Sequence, residues 1–246
     1  MTSLVFASRF LTLLVAVAMF SLGPGLEARD TFRPLFNGKD LSGWKGDTTF
    51  WKVEKGVLVG STHGLSIEAN TFLIWEGEQV FDFHLKAKLK VIGNNNSGIM
   101  YRAGKVEGTN FGLRGNQLDI HPKPEYLGML YSEKTGRGII AKRGQEVFVP
   151  SELDSRGKAR PQVQGTFSGE PIFDPAAWNE YEIIAVGSRL IHKVNGVVTV
   201  DVTDHHPHSS EGGVIGIQLH TGESMKVLAK DIQLKAIRNQ DMKNAF

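Results

Sequence analysis

Short runs in which apolar and polar residues alternate recur along most of the chain. The clearest are residues 51–59, 81–91, 98–102, 180–186, 190–194 and 197–202, and all of them are rich in β-branched or aromatic residues. A period of two is typical of strands with one buried face. Glycine- and asparagine-containing segments at 93–98, 187–188 and 195–196 predict hairpin turns between strands. Long amphipathic helical patterns are absent, so the pattern predicts an all-β sandwich.

One segment breaks this regular pattern. Residues 142–168 are polar, rich in glycine and proline, and without a clear period. A loop of that length in a compact domain is usually functional or mobile. We therefore expect it to form a lid or rim.

The N-terminus has the features of an export signal. Arg9 precedes an apolar run at residues 10–22, which is too short to span a membrane comfortably and is followed by Gly23-Pro-Gly25. We expect a signal peptide over residues 1–28, cleaved after Ala28, and a periplasmic or secreted domain over residues 29–246 with no remaining membrane span. An uncleaved membrane anchor is the alternative.

Composition narrows the class of protein further. The chain has 246 residues, a formal charge of +2 and no cysteine. Without cysteine it has neither disulfides nor a lipoprotein anchor, so the core alone must stabilise one sizeable domain. Lysine and arginine are scattered, and no basic run is interleaved with aromatic residues, so nucleic acid is not an expected partner.

Polar side chains that could take part in catalysis or binding concentrate around one predicted strand. Gln117 and Asp119 share one face of an extended segment, and Leu118 and Ile120 share the other. Gln218 and His220 repeat this spacing in a later strand, and further charged and aromatic candidates are Arg102, His121, Tyr126, Tyr131, Glu133 and Arg137. The sequence therefore predicts a polar cleft built on two strands.

Several motifs together resemble the 3-keto-disaccharide hydrolase domain family. They are Phe36-Asn-Gly-Lys-Asp-Leu-Ser-Gly-Trp44, Asn96-Ser-Gly-Ile-Met-Tyr-Arg102, Gly115-Asn-Gln-Leu-Asp119, Gly128-Met-Leu-Tyr131, Trp178-Asn179, Val194-Asn-Gly196, Gly216-Ile-Gln-Leu-His220 and Lys230-Asp-Ile232. The resemblance covers nearly the whole mature chain. It implies a concanavalin A-like jelly-roll β-sandwich, exported by bacteria, that acts on oxidised glycosides. Many members carry glutamate in the middle motif, whereas only Asp119 is acidic here; this form resembles planctomycete-type members.

The implied substrate sets the chemistry that the cleft must perform. A ketone at C3 of a sugar acidifies the C2 proton, so the glycosidic bond can break by elimination and water can then add to the enone. This needs a base near C2, a donor near the C3 oxygen and an acid near the departing oxygen. Asp119 and His121 are candidate bases, His220 a candidate acid or base, and Arg102 a candidate donor. Gln117 and Gln218 would position hydroxyl groups, and Tyr126 and Tyr131 would stack on sugar rings.

Structural alternatives remain for these residues. Arg102 could pair with Asp119 across the sheet, and His220 could be a core or solvated histidine. Glu133 could lie on a solvated rim, and Arg137 could belong to a turn without contacting substrate. A non-catalytic, lectin-like module is the alternative function, since one sandwich serves both roles.

Cofactors and partners are less clearly indicated. No cofactor is firmly implied, although a divalent metal such as calcium is possible. Residues 204–208 hold Asp204 and three histidines, but their spacing matches no defined site, and a solvated loop is the expected structure. With no glycine-rich dinucleotide motif, the chain would depend on a separate sugar 3-oxidoreductase to make its substrate.

Overall fold

The computed structural model describes residues 31–174 and 177–237. The predicted signal peptide, residues 1–28, lies outside this part of the chain. Within it, no helix is long and apolar enough to cross a bilayer, and the one helical element is a single 3₁₀ turn at Pro124–Tyr126.

The described residues form seventeen strands in two sheets. The strands are β1 (Arg33–Pro34), β2 (Trp44–Lys45), β3 (Trp51–Glu54), β4 (Val57–Ser61), β5 (Thr71–Trp75), β6 (Phe83–Ile92), β7 (Ser97–Lys105), β8 (Leu113–Ile120), β9 (Leu130–Glu133), β10 (Gly138–Ala141), β11 (Gln145–Val149), β12 (Gln162–Thr166), β13 (Asn179–Val186), β14 (Arg189–Val194), β15 (Val197–Asp204), β16 (Val214–Leu219) and β17 (Lys226–Ala236).

The two sheets pack face to face as a sandwich. One follows the order β12-β11-β15-β14-β13-β6-β17-β4-β3, with β1 on β17, and the other follows β10-β9-β8-β7-β16-β5-β2. In β6, buried residues alternate with partly exposed ones along nearly the whole strand, as expected when one face meets the opposite sheet. Leu85 of β6 and Leu118 of β8 belong to the same buried cluster, which places the main core between the sheets. The predicted all-β sandwich is confirmed.

Two predicted hairpins are confirmed and a third is wrong. Asn195 and Gly196 have φ of 48° and 81° between β14 and β15, which is the left-handed pair that a tight two-residue turn requires. Gly187, between β13 and β14, also has positive φ. Residues 93–98, however, connect β6 to β7, and these strands belong to different sheets. This segment crosses from one sheet to the other, which places Asn96 just before Ser97, the first residue of β7.

Two other expectations about local structure were also wrong. The single strand predicted at 51–59 is a pair, β3 and β4, joined at Lys55 and Gly56, both with positive φ. The predicted loop at 142–168 contains β11 and β12. β11 pairs in parallel with β15, so this segment extends the ten-stranded sheet rather than covering a site. Its polar strand β12 lies at the sheet edge and carries no alternation for the sequence to display.

Candidate active site

Gln117 and Asp119 form the floor of a cleft on the outer face of the seven-stranded sheet. Leu118 and Ile120, which alternate with them in β8, belong to the core between the sheets. Gln117 and Asp119 therefore project to the opposite side, as the alternation predicted. Gln218, next to the core residue Leu219 in β16, lies on the same outer face and lines the same cleft.

A glycine makes room for this floor. Gly98 of β7 pairs with Asp119 of β8. A Cβ at Gly98 would lie 2.4 Å from Cδ and 2.8 Å from Nε2 of Gln117. The side chain of Gln117 therefore lies across Gly98, which holds its amide next to Asp119.

The carboxyl group of Asp119 is buried and only partly compensated. Nε2 of Gln117 donates a hydrogen bond of 2.7 Å to Oδ1 of Asp119, and the residue is 2% exposed. Burial raises the pKa of Asp119 to about 7, hydrogen bonds from Gln117 and Asn96 oppose the rise, and the charge of Glu133 adds to it. A carboxyl group in this state exchanges a proton near neutral pH, which suits general acid–base catalysis.

Two histidines line the cleft, and their hydrogen bonds fix different tautomers, so Nε2 of one can accept a hydrogen bond and Nε2 of the other can donate one. Nδ1 of His220 lies 2.6 Å from the carbonyl oxygen of Thr221. A carbonyl only accepts, so Nδ1 carries the proton and Nε2 of neutral His220 has a lone pair. In His121, Nδ1 accepts the backbone N–H of Lys123 at 3.0 Å, so Nε2 carries the proton. Burial and the charge of Lys123 lower the pKa of His121, which favours this neutral donor.

The two glutamines offer hydrogen-bonding atoms that the protein does not use. Among the described residues, Oε1 of Gln117 and both side-chain polar atoms of Gln218 have no hydrogen-bond partner. Gln218 is 0% exposed, and a buried amide without partners is costly. The two amide oxygens are therefore suited to accept hydrogen bonds from ligand hydroxyl groups, and Nε2 of Gln218 is suited to donate one to a ligand oxygen.

The side of the cleft formed by β9, β10 and the 3₁₀ turn is aromatic and apolar. Tyr126, Met129, Tyr131 and Ile139 line it, and the ring of Tyr126 contacts the ring of His121 edge-on at 5.1 Å. Burial, with the charges of Glu133 and Asp119, raises the pKa of Tyr131, so its hydroxyl stays protonated. The whole cleft has a volume of about 560 Å³, within the range of roughly 300–1,000 Å³ of small-molecule sites.

Glu133 closes this group of residues. Nδ2 of Asn70 donates a hydrogen bond of 3.1 Å to Oε1 of Glu133, and Oδ1 of Asn70 accepts the N–H of Thr221 at 3.0 Å. Asn70 thus connects Glu133 to the segment that carries His220. Eight of the ten predicted site residues meet in this cleft: Gln117, Asp119, His121, Tyr126, Tyr131, Glu133, Gln218 and His220.

The structure places the two predicted arginines elsewhere. Arg102 is 2% exposed and donates to Asp82 at 3.0 Å and to the carbonyls of Phe81 and Gly187 at 2.7 Å each. Its partner is therefore Asp82, not Asp119 as the structural alternative supposed. Residue 102 has φ of 46°, at an irregularity in β7, and this breaks the alternation that would have pointed it toward the cleft.

Arg137 forms a bidentate ion pair with Asp204, with distances of 2.9 and 2.8 Å. The side chains of the pair are largely buried, so the prediction that Arg137 binds substrate was wrong. It joins the turn between β9 and β10 to the end of β15 on the other sheet. Neither arginine lines the cleft.

Four residues of the cleft were not predicted: Asn70, Asn96, Met129 and Ile139. Asn96 is the first residue of the motif at 96–102, but the hairpin predicted at 93–98 gave no indication that its side chain lies at the cleft. Asn70 lies just before β5 and belongs to no pattern, so only the folded sheet brings it to the site.

The histidine-containing segment is more buried than expected. Asp204 and His206 are buried, whereas His205, Pro207 and His208 are exposed. The backbone N–H of His208 donates a hydrogen bond of 3.0 Å to Nδ1 of His206. Within the described residues, no group of three or more His, Cys, Asp or Glu side chains is arranged to hold a metal ion.

Several solved structures share this fold. A candidate glycosyl hydrolase from Parabacteroides distasonis matches with a TM-score of 0.54 at 17% identity, over 84% of this chain and 94% of that one. A galectin-like protein of unknown function from Bacillus subtilis matches with a TM-score of 0.53 at 12% identity, over 85% and 96%. The carbohydrate-binding module CBM66 from Bacillus subtilis matches with a TM-score of 0.50 at 14% identity, over 79% and 96%. These likenesses establish the jelly-roll fold.

The sequence comparison is more specific than the structural one. No curated protein matches the chain. A family model does match, over residues 31–235, which includes every residue of the cleft. The chain therefore belongs to the 3-keto-alpha-glucoside-1,2-lyase-like domain family.

Proposed function

We propose that this protein cleaves 3-keto-glycosides by elimination across C1 and C2 of the oxidised sugar. The observation that carries the proposal is the buried carboxyl group of Asp119, whose pKa is raised to about 7, in a cleft that also holds two histidines. A C–H bond next to a ketone needs a base of that strength in a water-poor site. Family membership supplies the substrate class.

Asp119 is the base that takes the C2 proton. Gln117 holds Oδ1 through a 2.7 Å hydrogen bond, and Asn96 also donates to this carboxyl group, so the base is oriented before the substrate binds. As the C2–H bond breaks, its electron pair moves onto the C3 carbonyl and forms an enolate. The enolate then expels the oxygen on C1, and the C1–C2 double bond forms.

Gln218 takes the role of donor that the sequence had suggested for Arg102. Its Nε2 is buried and without a partner among the described residues, and a preorganised donor at a developing oxyanion lowers the barrier. Ile217 of β16 pairs with Ile99 of β7, and continuing this antiparallel register by one residue places Gln218 opposite Gly98, which pairs with Asp119. The donor and the base therefore face the same part of the cleft floor.

The two histidines act at the departing oxygen and the neighbouring hydroxyls. The Nε2–H of His121 donates to an acceptor oxygen of the substrate. When Nε2 of His220 is protonated, it gives its proton to the leaving alcohol. His220 then returns to the neutral form, with its remaining proton on Nδ1, where the carbonyl oxygen of Thr221 accepts it. Water adds across the enone afterwards, and the net result is hydrolysis.

Ordinary acid-catalysed hydrolysis fits this cleft less well. It usually needs two opposed carboxyl groups, one of them free to act as acid, whereas Glu133 is held by Asn70. The C3 ketone is therefore required, and a separate nicotinamide- or flavin-dependent sugar oxidoreductase must supply it. We further propose that the protein works in the periplasm or outside the cell, because the sequence of residues 1–28 predicts a signal peptide.

The experiment uses 3-keto-trehalose and 3-keto-lactose, each deuterated at C2, beside the unoxidised parents, with and without a chelator. Elimination predicts loss of deuterium from C2 to the solvent, together with a primary isotope effect on turnover when cleavage of the C2–H bond limits the rate. The variant Asp119→Asn is the matched control, because it keeps the shape of the side chain without the base. Comparable turnover of the unoxidised sugars, or product that retains C2 deuterium, would refute the proposal.

A carbohydrate-binding module is the second candidate, and the likeness to CBM66 favours it. Binding needs hydroxyl partners and an aromatic platform but no proton transfer. The binding function would be indicated if the keto-sugars bound with equal affinity to the parent protein and to Asp119→Asn, and if neither protein consumed them.

A further inference from the structure

A second cleft opens at one end of the sandwich, between the two sheets. Its volume is about 550 Å³, and it shares no residue with the catalytic cleft. Asn116 contributes from β8, Asp82 and Leu190 contribute from the ten-stranded sheet and its connections, and residues 205–211 form one wall. Asn116 and Gln117 are neighbours in β8, so their side chains point to opposite faces of the sheet. The two clefts therefore lie on opposite sides of one strand.

Asn116, which lines this second cleft, carries an unused donor. The residue is 2% exposed, and its Nδ2 has no hydrogen-bond partner among the described residues. A buried amide nitrogen of this kind is unfavourable unless an acceptor reaches it. The wall thus provides a fixed donor that requires an acceptor oxygen.

The charged groups of the cleft are already neutralised by one another. The guanidinium group of Arg102 pairs with Asp82 and with two carbonyls. Asp204, which also lines the cleft, is held by both terminal nitrogens of Arg137. Glu211 adds an exposed carboxylate at the mouth. This balance gives an anionic ligand no free cation and favours a neutral one.

An exposed aromatic ring also lines the second cleft. Phe81 lines this cleft and is 57% exposed, so part of its apolar ring is accessible to a ligand there. A neutral ligand with both acceptor oxygens and an apolar face matches a sugar ring, which presents hydroxyl groups at its rim and C–H bonds on its faces.

We propose that this cleft is a second, non-catalytic carbohydrate site that binds an unoxidised sugar ring between Asn116 and Phe81. It would hold the protein on an oligosaccharide independently of the catalytic cleft. The site does not depend on the elimination chemistry, so either assignment can fail without the other.

The test follows asparagine side-chain amides by NMR in the full-length protein labelled with ¹⁵N-asparagine. Maltotriose and cellotriose are the probes, since neither carries the ketone. Asn116 reports on the second cleft, and Asn70 and Asn96 report on the catalytic cleft. We expect a saturable shift of the Asn116 amide with at least one trisaccharide.

Substitution of Phe81 provides the discriminating control. Phe81→Ala removes the exposed ring and should weaken binding about fivefold, the effect of one aromatic contact. Ile172→Ala, which truncates an apolar side chain that is 92% exposed elsewhere, should leave binding unchanged. The proposal is overturned if neither trisaccharide moves the Asn116 amide, if only Asn70 and Asn96 respond, or if the two variants weaken binding equally.

Discussion

Asn70 and Glu133 form a hydrogen bond of 3.1 Å although three strands of their sheet lie between them. Asn70 immediately precedes β5, and Glu133 ends β9; β16, β7 and β8 lie between. Neighbouring strands are about 4.8 Å apart, so the contact requires the seven-stranded sheet to curve. Both side chains line the cleft, and their bond connects its two walls. This curvature explains how Gln117, Asp119 and Gln218 are buried on an outer face.

From this hydrogen bond between Asn70 and Glu133, which we call the bridge, we predict that loss of Asn70 affects catalysis more than folding. Asn70→Ala removes the donor to Glu133 and the acceptor for Thr221, so both the far wall and the His220 segment lose a restraint. We expect kcat/KM for a 3-keto-glycoside to fall at least tenfold, because misplacement of about 1 Å can reduce the rate 100-fold. Asn37→Ala, in an exposed turn, is the control. Equal activity of the two variants would contradict the role of the bridge.

A second prediction concerns the glycine under the catalytic floor. Gly98→Ala would place a Cβ 2.4 Å from Cδ of Gln117, which must then move away from Asp119. We expect kcat to fall by at least tenfold, since the amide that positions the base is displaced. Gly104→Ala in the same strand is matched to it, because the nearest atom there is 3.6 Å away. Steady-state kinetics on both variants, with melting curves, separate displacement of Gln117 from damage to β7.

The sequence contained enough information to predict most of the site because β8 and β16 keep strict alternation. A period of two assigns Gln117, Asp119 and Gln218 to a face without any knowledge of the sheet order. It could not place Asn70, which reaches the cleft only through the curvature of the folded sheet. The segment 93–98 failed for a related reason, since turn residues are the same whether the next strand pairs locally or joins the other sheet.

The two arginines show where a strand pattern misleads. Arg102 follows a regular alternation, but its positive φ and the irregularity in β7 turn its side chain toward Asp82. Arg137 lies in a turn, where periodicity carries no information about direction. Its buried partner, Asp204, is far away in sequence. Ion pairs of this kind depend on tertiary packing that a single sequence does not display.

The third prediction is a pH profile. If Asp119 is the base, kcat/KM rises with pH through the pKa of that carboxyl group, at about 7, because only the ionised form accepts the C2 proton. The hydrogen bond from Gln117 stabilises the charged form. Gln117→Met should therefore raise the pKa of Asp119 and shift the acidic limb to higher pH. An unchanged or lower midpoint in Gln117→Met would exclude Asp119 as the group that titrates.

The fourth prediction concerns stability in acid. His192 is buried between the sheets, where Nε2 lies 2.8 Å from the hydroxyl of Tyr101 and Nδ1 lies 3.1 Å from the carbonyl oxygen of Gly128. Burial lowers the pKa of His192 to about 4, whereas an unfolded histidine titrates near 6.5. The unfolded chain thus binds a proton first, and this residue makes stability decrease as the pH falls from about 6.5 to about 4.

His192→Gln tests this assignment. A glutamine can supply an acceptor to Tyr101 and a donor to Gly128 without titrating. The free energy of unfolding, measured by urea denaturation between pH 7 and pH 4, should depend less on pH in the variant than in the parent. A slope that stays the same would assign the acid sensitivity to other groups.

The last prediction separates catalysis from folding at Asp119. In the folded protein its pKa is raised from 3.8 to about 7, so this residue's contribution to stability is complete below pH 4 and is lost as the pH rises through 7. At pH 8 the buried carboxylate destabilises the fold, and Asp119→Asn should raise the melting temperature. The same variant should lose roughly 10²- to 10⁴-fold in turnover, the usual contribution of a proton-transfer group.

Arg102→Met is the comparison that makes this result decisive. It removes a buried guanidinium group and leaves Asp82 without its ion-pair partner, and breaking such a pair costs about 3–5 kcal/mol. We expect a large fall in melting temperature at pH 8 with little change in kcat for the folded enzyme, because Arg102 lies outside the catalytic cleft. The two variants should therefore shift the melting temperature in opposite directions, and only Asp119→Asn should lose turnover. If Asp119→Asn instead lowers the melting temperature and keeps turnover within about threefold of the parent, far short of a proton-transfer effect, Asp119 is structural and not the base.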